Sequence, residues 1–210
     1  MKHALFVSLD GPKGTGKTTL LEAVARVLRA GGKKVLRFSE RNLDPDRAAT
    51  MALVNRLVRD PSEALELEVC QRFAESRAWI SRHVLAEQAP GCIMLMDRWY
   101  PSDAAFRRIV PFADILRMNL DRQVRVPDVH VGVVTHPDMS WARAAARRRG
   151  LSSTVLFSLE EQIAGTRAFE QAVVEQGWVL CRNEGTVEEA VVQVVAQVDR
   201  VAGSLAGGSA

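Results

Sequence analysis

Residues 11–18 read Gly-Pro-Lys-Gly-Thr-Gly-Lys-Thr, which fits the spacing G-x-x-x-x-G-K-[ST]. Each type has a chemical reason to be there. The glycines let backbone N–H groups converge on phosphate oxygens, and the helix that follows adds the positive end of its dipole. Lys17 has the reach to touch the β- and γ-phosphates, and the Thr18 hydroxyl is a magnesium ligand. A triphosphate cradle, for ATP with Mg2+, is therefore expected from Gly11, Lys13, Gly14, Thr15, Gly16, Lys17, Thr18 and Thr19. No N-K-x-D motif appears, which speaks against a GTPase, and no apolar strand ends in D-E, which speaks against a motor ATPase.

The elements that must hold this loop are legible around it. Ala4–Leu9 is a short apolar run of the kind that forms a buried strand, and a helix is expected from about Lys17 to Arg29, closed by Gly31-Gly32. Strands are expected at Lys34–Phe38, Cys92–Met96, Val129–Val134 and Trp178–Cys181. Helical periods fall at Arg47–Arg59, Ser62–Ala89, Met139–Arg149, Leu159–Gln176 and Val187–Val201. Helices also fall between about Ser102 and Arg122, where Pro111 must start or kink one of them. Short strands alternating with helices predict an α/β fold with a parallel sheet. The reading is a single P-loop domain over residues 1–202, a five-stranded three-layer sandwich with a lid at about 139–157. Residues 203–210 are expected to be a disordered tail.

Composition narrows the class. The 210 residues are 47% hydrophobic and 25% charged, enough to bury one sizeable core. A net charge of +3 suits phosphorylated metabolites as well as nucleic acid, and 6% aromatics disfavours a base-stacking, nucleic-acid-binding platform. Cys70, Cys92 and Cys181 lie far apart and read as buried thiols, and the four histidines show no ligand spacing. The N-terminal apolar run is too short for a signal peptide, and no stretch reaches the ~20 apolar residues of a membrane span. A cytoplasmic protein is the expectation.

With Asp97 and its neighbours in view, the chain resembles the thymidylate kinases, from about residue 4 to residue 195. Leu9 to Thr19 is similar to the family's opening strand, acid and G-P-D-G-S-G-K-T-T. Arg37-Phe38-Ser39-Glu40-Arg41 is similar to R-F-P-E-R, Phe73 and Arg77 fit F-x-x-x-R, and residues 97–107 follow D-R-Y-x-x-S-x-x-A-Y-Q. The resemblance implies an α/β P-loop kinase that moves the γ-phosphoryl group of ATP to a nucleoside monophosphate. It places Asp97 near magnesium and Lys17, and Arg41 and Arg98 on the acceptor's phosphate. Phe73 would stack on the base and Arg77 would bond it. Asp10, Lys13, Trp99, Ser102, Phe106 and Arg107 complete the implied acceptor pocket. Arg143 and Arg147 to Arg149 would be lid arginines over the triphosphate, with a catalytic one among 147–149. Family members also dimerise, and the helix beginning at Ser62 is the candidate face for a second copy.

Three positions depart from the pattern. Lys13 stands where the family carries a carboxylate that accepts a bond from the acceptor's sugar, and an ammonium cannot accept one. Trp99 replaces a tyrosine, and Phe106-Arg107 replace Tyr-Gln. These changes fall on the acceptor side, so the acceptor reads as thymidylate or a modified, more anionic nucleotide. Kinase action on another small metabolite, and non-catalytic ATP binding, are the competing readings.

Overall fold

The computed structural model describes residues 3–146 and 158–207, with backbone alone for 206 and 207. Five strands, β1 (Leu5–Asp10), β2 (Val35–Ser39), β3 (Ile93–Asp97), β4 (Val129–Val134) and β5 (Val179–Arg182), form one parallel sheet in the order β2-β3-β1-β4-β5. This is the expected five-stranded α/β architecture. All six residues of β1 are buried because the strand is paired on both edges and covered on both faces.

The period-two alternation of the strands sorts the core into two layers. Leu5, Val7 and Leu9 of β1 join Ile93 and Leu95 of β3 on one face. There they meet Leu20, Leu21, Val24 and Leu28 of α1 (Lys17–Ala30) and Val191, Val194 and Val198 of α9 (Val187–Gly207). Phe6, Met94 and Met96 point to the other face, against Ala78, Ile80, Leu85 and Trp99. The chain thus runs in three layers, helices on each side of the sheet.

The remaining helices are α2 (Glu40–Leu43), α3 (Arg47–Arg59), α4 (Glu63–Ile80), α5 (Asp103–Phe106), α6 (Phe112–Asp121), α7 (Pro137–Ala145) and α8 (Leu159–Glu175). Ser62 caps α4 through its hydroxyl, which accepts from the Leu65 N–H. The long helix expected to Ala89 changes winding at Ser81–Leu85, which is π-helical. There the Ser81 hydroxyl donates to the Arg77 carbonyl at 2.7 Å and accepts from the Arg125 N–H at 2.9 Å. Pro111 caps the start of α6. The segment before it leaves the helical path because the buried Glu66 carboxylate on α4 accepts the N–H groups of Arg108, Ile109 and Val110.

The C-terminal segment differs from expectation: α9 continues to Gly207 instead of ending at Val201. Val201, Ala202 and Leu205 still pack on the core, and that apolar stripe carries the helix beyond the glycine at 203. Cys70, Cys92 and Cys181 are all buried free thiols. Among the described residues, no helix is long and apolar enough to cross a membrane.

Candidate active site

The C-terminal ends of the parallel strands open onto one crevice, where ligands of such sheets bind. Asp10 ends β1, Glu40 follows β2, Asp97 ends β3 and Asn183 follows β5. The glycine-rich loop runs from β1 into α1. Gly14 and Gly16 hold φ near +85°, a region closed to most side chains, and a Cβ on Gly14 would run into the Ser140 carbonyl oxygen. Gly16 occupies the N-cap of α1 and has no side chain to cap it, the kind of helix start at which anions bind.

Lys17 is buried, and its Nζ donates to the Pro12 carbonyl at 2.5 Å and the Thr15 hydroxyl at 3.1 Å. The Thr18 hydroxyl donates to Asp97 Oδ2 at 2.9 Å. That contact puts a hydroxyl and a carboxylate oxygen side by side at the mouth of the loop. Hard oxygen donors of this kind suit Mg2+ rather than a softer metal, with phosphate and water completing the shell. Among the described residues no cluster of three or more His, Cys, Asp or Glu converges. Thr19 is exposed in the first turn of α1, and Arg143 is exposed on α7. Arg147, Arg148 and Arg149 lie outside the described residues, as does most of the expected lid.

Arg98 adopts φ +72°, unusual for a residue with a Cβ. Its N–H bonds the Leu9 carbonyl, its Nη1 donates to the Gly11 carbonyl at 3.0 Å, and its guanidinium lies 4.8 Å from the centre of the Phe106 ring. The turn is imposed by Asp10: Oδ1 accepts from the Trp99 N–H and the Ser102 hydroxyl, both at 2.7 Å. Burial raises the Asp10 pKa, against the bonds from Ser102 and Trp99 and the Arg98 charge.

Several residues expected at the acceptor turn out to be scaffold. Trp99 is 0% exposed, meets Phe6 edge-on at 5.6 Å and donates its indole N–H to the Arg125 carbonyl. Its ring lies in the core because the neighbouring strands leave an apolar slot there, and it does not line the pocket. The Ser102 hydroxyl donates to Asp10 Oδ1 and accepts from the Gly11 N–H, whereas Asp10 Oδ2 is buried without a hydrogen-bond partner among the described residues. Arg77 is held by carboxylates on two sides. It is 1% exposed, with Nε on Glu40 at 2.6 Å and Nη1 on Asp103 at 2.7 Å. Burial pulls its pKa down, but Asp103 and Glu40 outweigh that and hold it above the ordinary arginine value. Glu40 is raised by burial, opposed by Arg77. Its Nε and Nη1 are thus engaged within the fold, and the sequence offers no sign of these partners beyond their types.

The other expected acceptor residues are less enclosed. Phe73 is half-buried, with the guanidinium carbons of Arg77 and Arg107 at 5.2 and 5.4 Å from its ring centre. Arg107 also pairs with Asp103 at 3.5 Å. Arg41 is exposed on α2, and its carbonyl accepts from Arg47. Lys13 is half-buried in the loop. Residues that sequence reasoning missed include Glu40, Asp103, Gln162 and Asn183, the last two bonded to the back of the phosphate loop.

Strand, loop, threonine and strand-end aspartate therefore assemble as one phosphate-handling unit, and residues 9–194 match the family model described as thymidylate kinase. The chain belongs to the thymidylate kinase family. Family membership makes it a nucleotide kinase of the kind that generally works with ATP and Mg2+. Relative to the family pattern, Lys17, Thr18 and Asp97-Arg98 are intact, whereas Lys13, Trp99 and Phe106-Arg107 depart from it.

Proposed function

We propose that this chain transfers the γ-phosphoryl group of ATP to the phosphate of a nucleoside monophosphate, with thymidylate or a modified relative as acceptor. The observation that carries this reading is the 2.9 Å contact between Thr18 and Asp97 beside Lys17. It is what a magnesium-dependent phosphoryl transfer requires at the lip of a triphosphate cradle.

An acceptor phosphate is already an anion at neutral pH, so no strong general base is needed and catalysis is positioning with charge neutralisation. Lys17 would leave its loop contacts for the transferring phosphate. Thr18 and Asp97 would hold Mg2+, Asp97 partly through water; the ion neutralises charge on the transferring group. Arg98, anchored to Gly11, and Arg41 on α2 would grip the acceptor phosphate, where planar forks serve better than a point charge. Arg143 and Arg147 to Arg149 are the proposed lid arginines. The test is ADP formation across a panel of nucleoside monophosphates. Stimulation by one of them in a magnesium-dependent manner supports the reading, and ATP turnover indifferent to the whole panel refutes it.

Lys13 and the engaged Arg77 favour one second reading: a kinase for another phosphorylated or hydroxylated metabolite on the same scaffold. Mass spectrometry of products from a broad acceptor panel separates the two.

A further inference from the structure

Gln162 on α8 and Asn183 after β5 hold the phosphate loop from behind. Gln162 is 1% exposed, and its Nε2 donates to the Lys13 carbonyl at 3.0 Å and to the Ser140 hydroxyl at 2.7 Å. Ser140 in turn donates to the Pro137 carbonyl at 2.9 Å, so its oxygen must accept from Gln162. Both partners of the Gln162 amide are therefore acceptors, which fixes the nitrogen end on the loop. Asn183 is buried too, and its Nδ2 donates to the Thr15 carbonyl at 2.8 Å.

The consequence follows from the planarity of the peptide unit. In a trans peptide the carbonyl of one residue and the N–H of the next point in opposite directions, and no cis bond occurs among the described residues. Fixing the Lys13 carbonyl toward α8 turns the Gly14 N–H the other way, into the cradle. Fixing the Thr15 carbonyl toward Asn183 does the same for the Gly16 N–H. Gly14 and Gly16 are the two loop positions held at φ near +85°, a backbone state that makes N–H groups converge on an anion. We propose that Gln162 and Asn183 are positioning residues that aim the Gly14 and Gly16 N–H groups at the nucleotide's phosphates.

Gln162 has a second consequence through Ser140. α7 and α8 are the two helices that flank residues 147–157, and the Gln162 amide ties both of them to the loop.

The inference rests on the triphosphate reading, and the experiment separates their failures. Gln162→Met keeps the side-chain length without a donor, and Asn183→Ala removes the other amide. Equilibrium binding of ADP and steady-state kinetics are measured for the full chain and each variant. Each variant is expected to bind ADP about tenfold more weakly, the value of one hydrogen bond to a group that meets charge. KM for ATP should rise in step while KM for the acceptor stays within about twofold, a split that general loosening of the fold does not produce. ADP affinity unchanged in both variants, with a wild-type chain that binds ADP, overturns this inference alone. A wild-type chain that binds no ADP overturns the triphosphate reading and this one with it. If Gln162→Met does not fold, Asn183→Ala alone decides.

Discussion

Replacing Arg77 by methionine tests whether this side chain is a structural cation. In the wild-type chain its charge sits between Glu40 at 2.6 Å and Asp103 at 2.7 Å, with all three side chains at least nine-tenths buried. Methionine fills the volume but leaves Glu40 without its cation and Asp103 with only Arg107, at 3.5 Å, both carboxylates still out of water. Removing one partner of a buried ion pair costs about 3–5 kcal/mol, because the remaining charge keeps its desolvation penalty. For a chain of this size that corresponds to a fall in Tm on the order of 10 °C. The variant's escape is to take up a proton, and Glu40 already has a raised pKa. An acid whose folded pKa lies above its unfolded value stabilises the fold below the unfolded value, here 4.5, and loses that contribution as pH rises through the raised one. Arg77→Met should therefore lose more stability at pH 8 than at pH 5. Replacing all three members by apolar residues of matching size should recover most of the loss. Urea denaturation at two pH values measures each quantity. A loss below about 1 kcal/mol at pH 7, or a triple variant no better than the single one, refutes the reasoning.

Three further perturbations read other parts of the molecule. On the proposed function, in which these two neighbouring oxygens hold the magnesium ion, Asp97→Asn and Thr18→Ala should each cut turnover by about a hundredfold or more with little change in Tm; ADP release followed against magnesium concentration checks it. His130, stacked on Trp178 at 4.7 Å, has its pKa pushed down by burial to about 4. A depressed folded pKa means stability is fully present above about 6.5 and is lost as pH falls toward 4, by roughly 3 kcal/mol in all, and His130→Phe should flatten that slope in thermal scans. Glu66→Ala strips the shared acceptor from the N–H groups of Arg108, Ile109 and Val110 and should cost about 3 kcal/mol in chemical denaturation.

What the sequence made legible was whatever obeys a local rule. The glycine-rich loop has a fixed spacing, β1 is an unbroken apolar run because it is covered on both faces, and Pro111 marks a helix start because it has no N–H to give. What stayed hidden was set by partners distant in the chain. The Gln162 amide is 149 residues from the carbonyl it holds and Asn183 is 168 residues from its own, so no spacing rule reaches either. Helix α9 overran its expected end because packing on the sheet, rather than local propensity, decides where it stops.

The same distinction explains why the two halves of the site read so differently. A phosphate is recognised largely by backbone N–H groups, and their direction depends on glycines that a motif can display. An acceptor base is recognised by side chains, and their availability depends on what else they bond. Arg77 shows the difference: its type and its i, i+4 relation to Phe73 put both on one helix face, yet Asp103 and Glu40 claim its donors first. Asp103 sits in the same turn that Asp10 organises, six residues beyond Asp97. One short segment therefore supplies the carboxylate beside Thr18 and a carboxylate that holds Arg77. On the proposed function, a substitution series aimed at acceptor specificity starts from Lys13, Arg98 and Arg107.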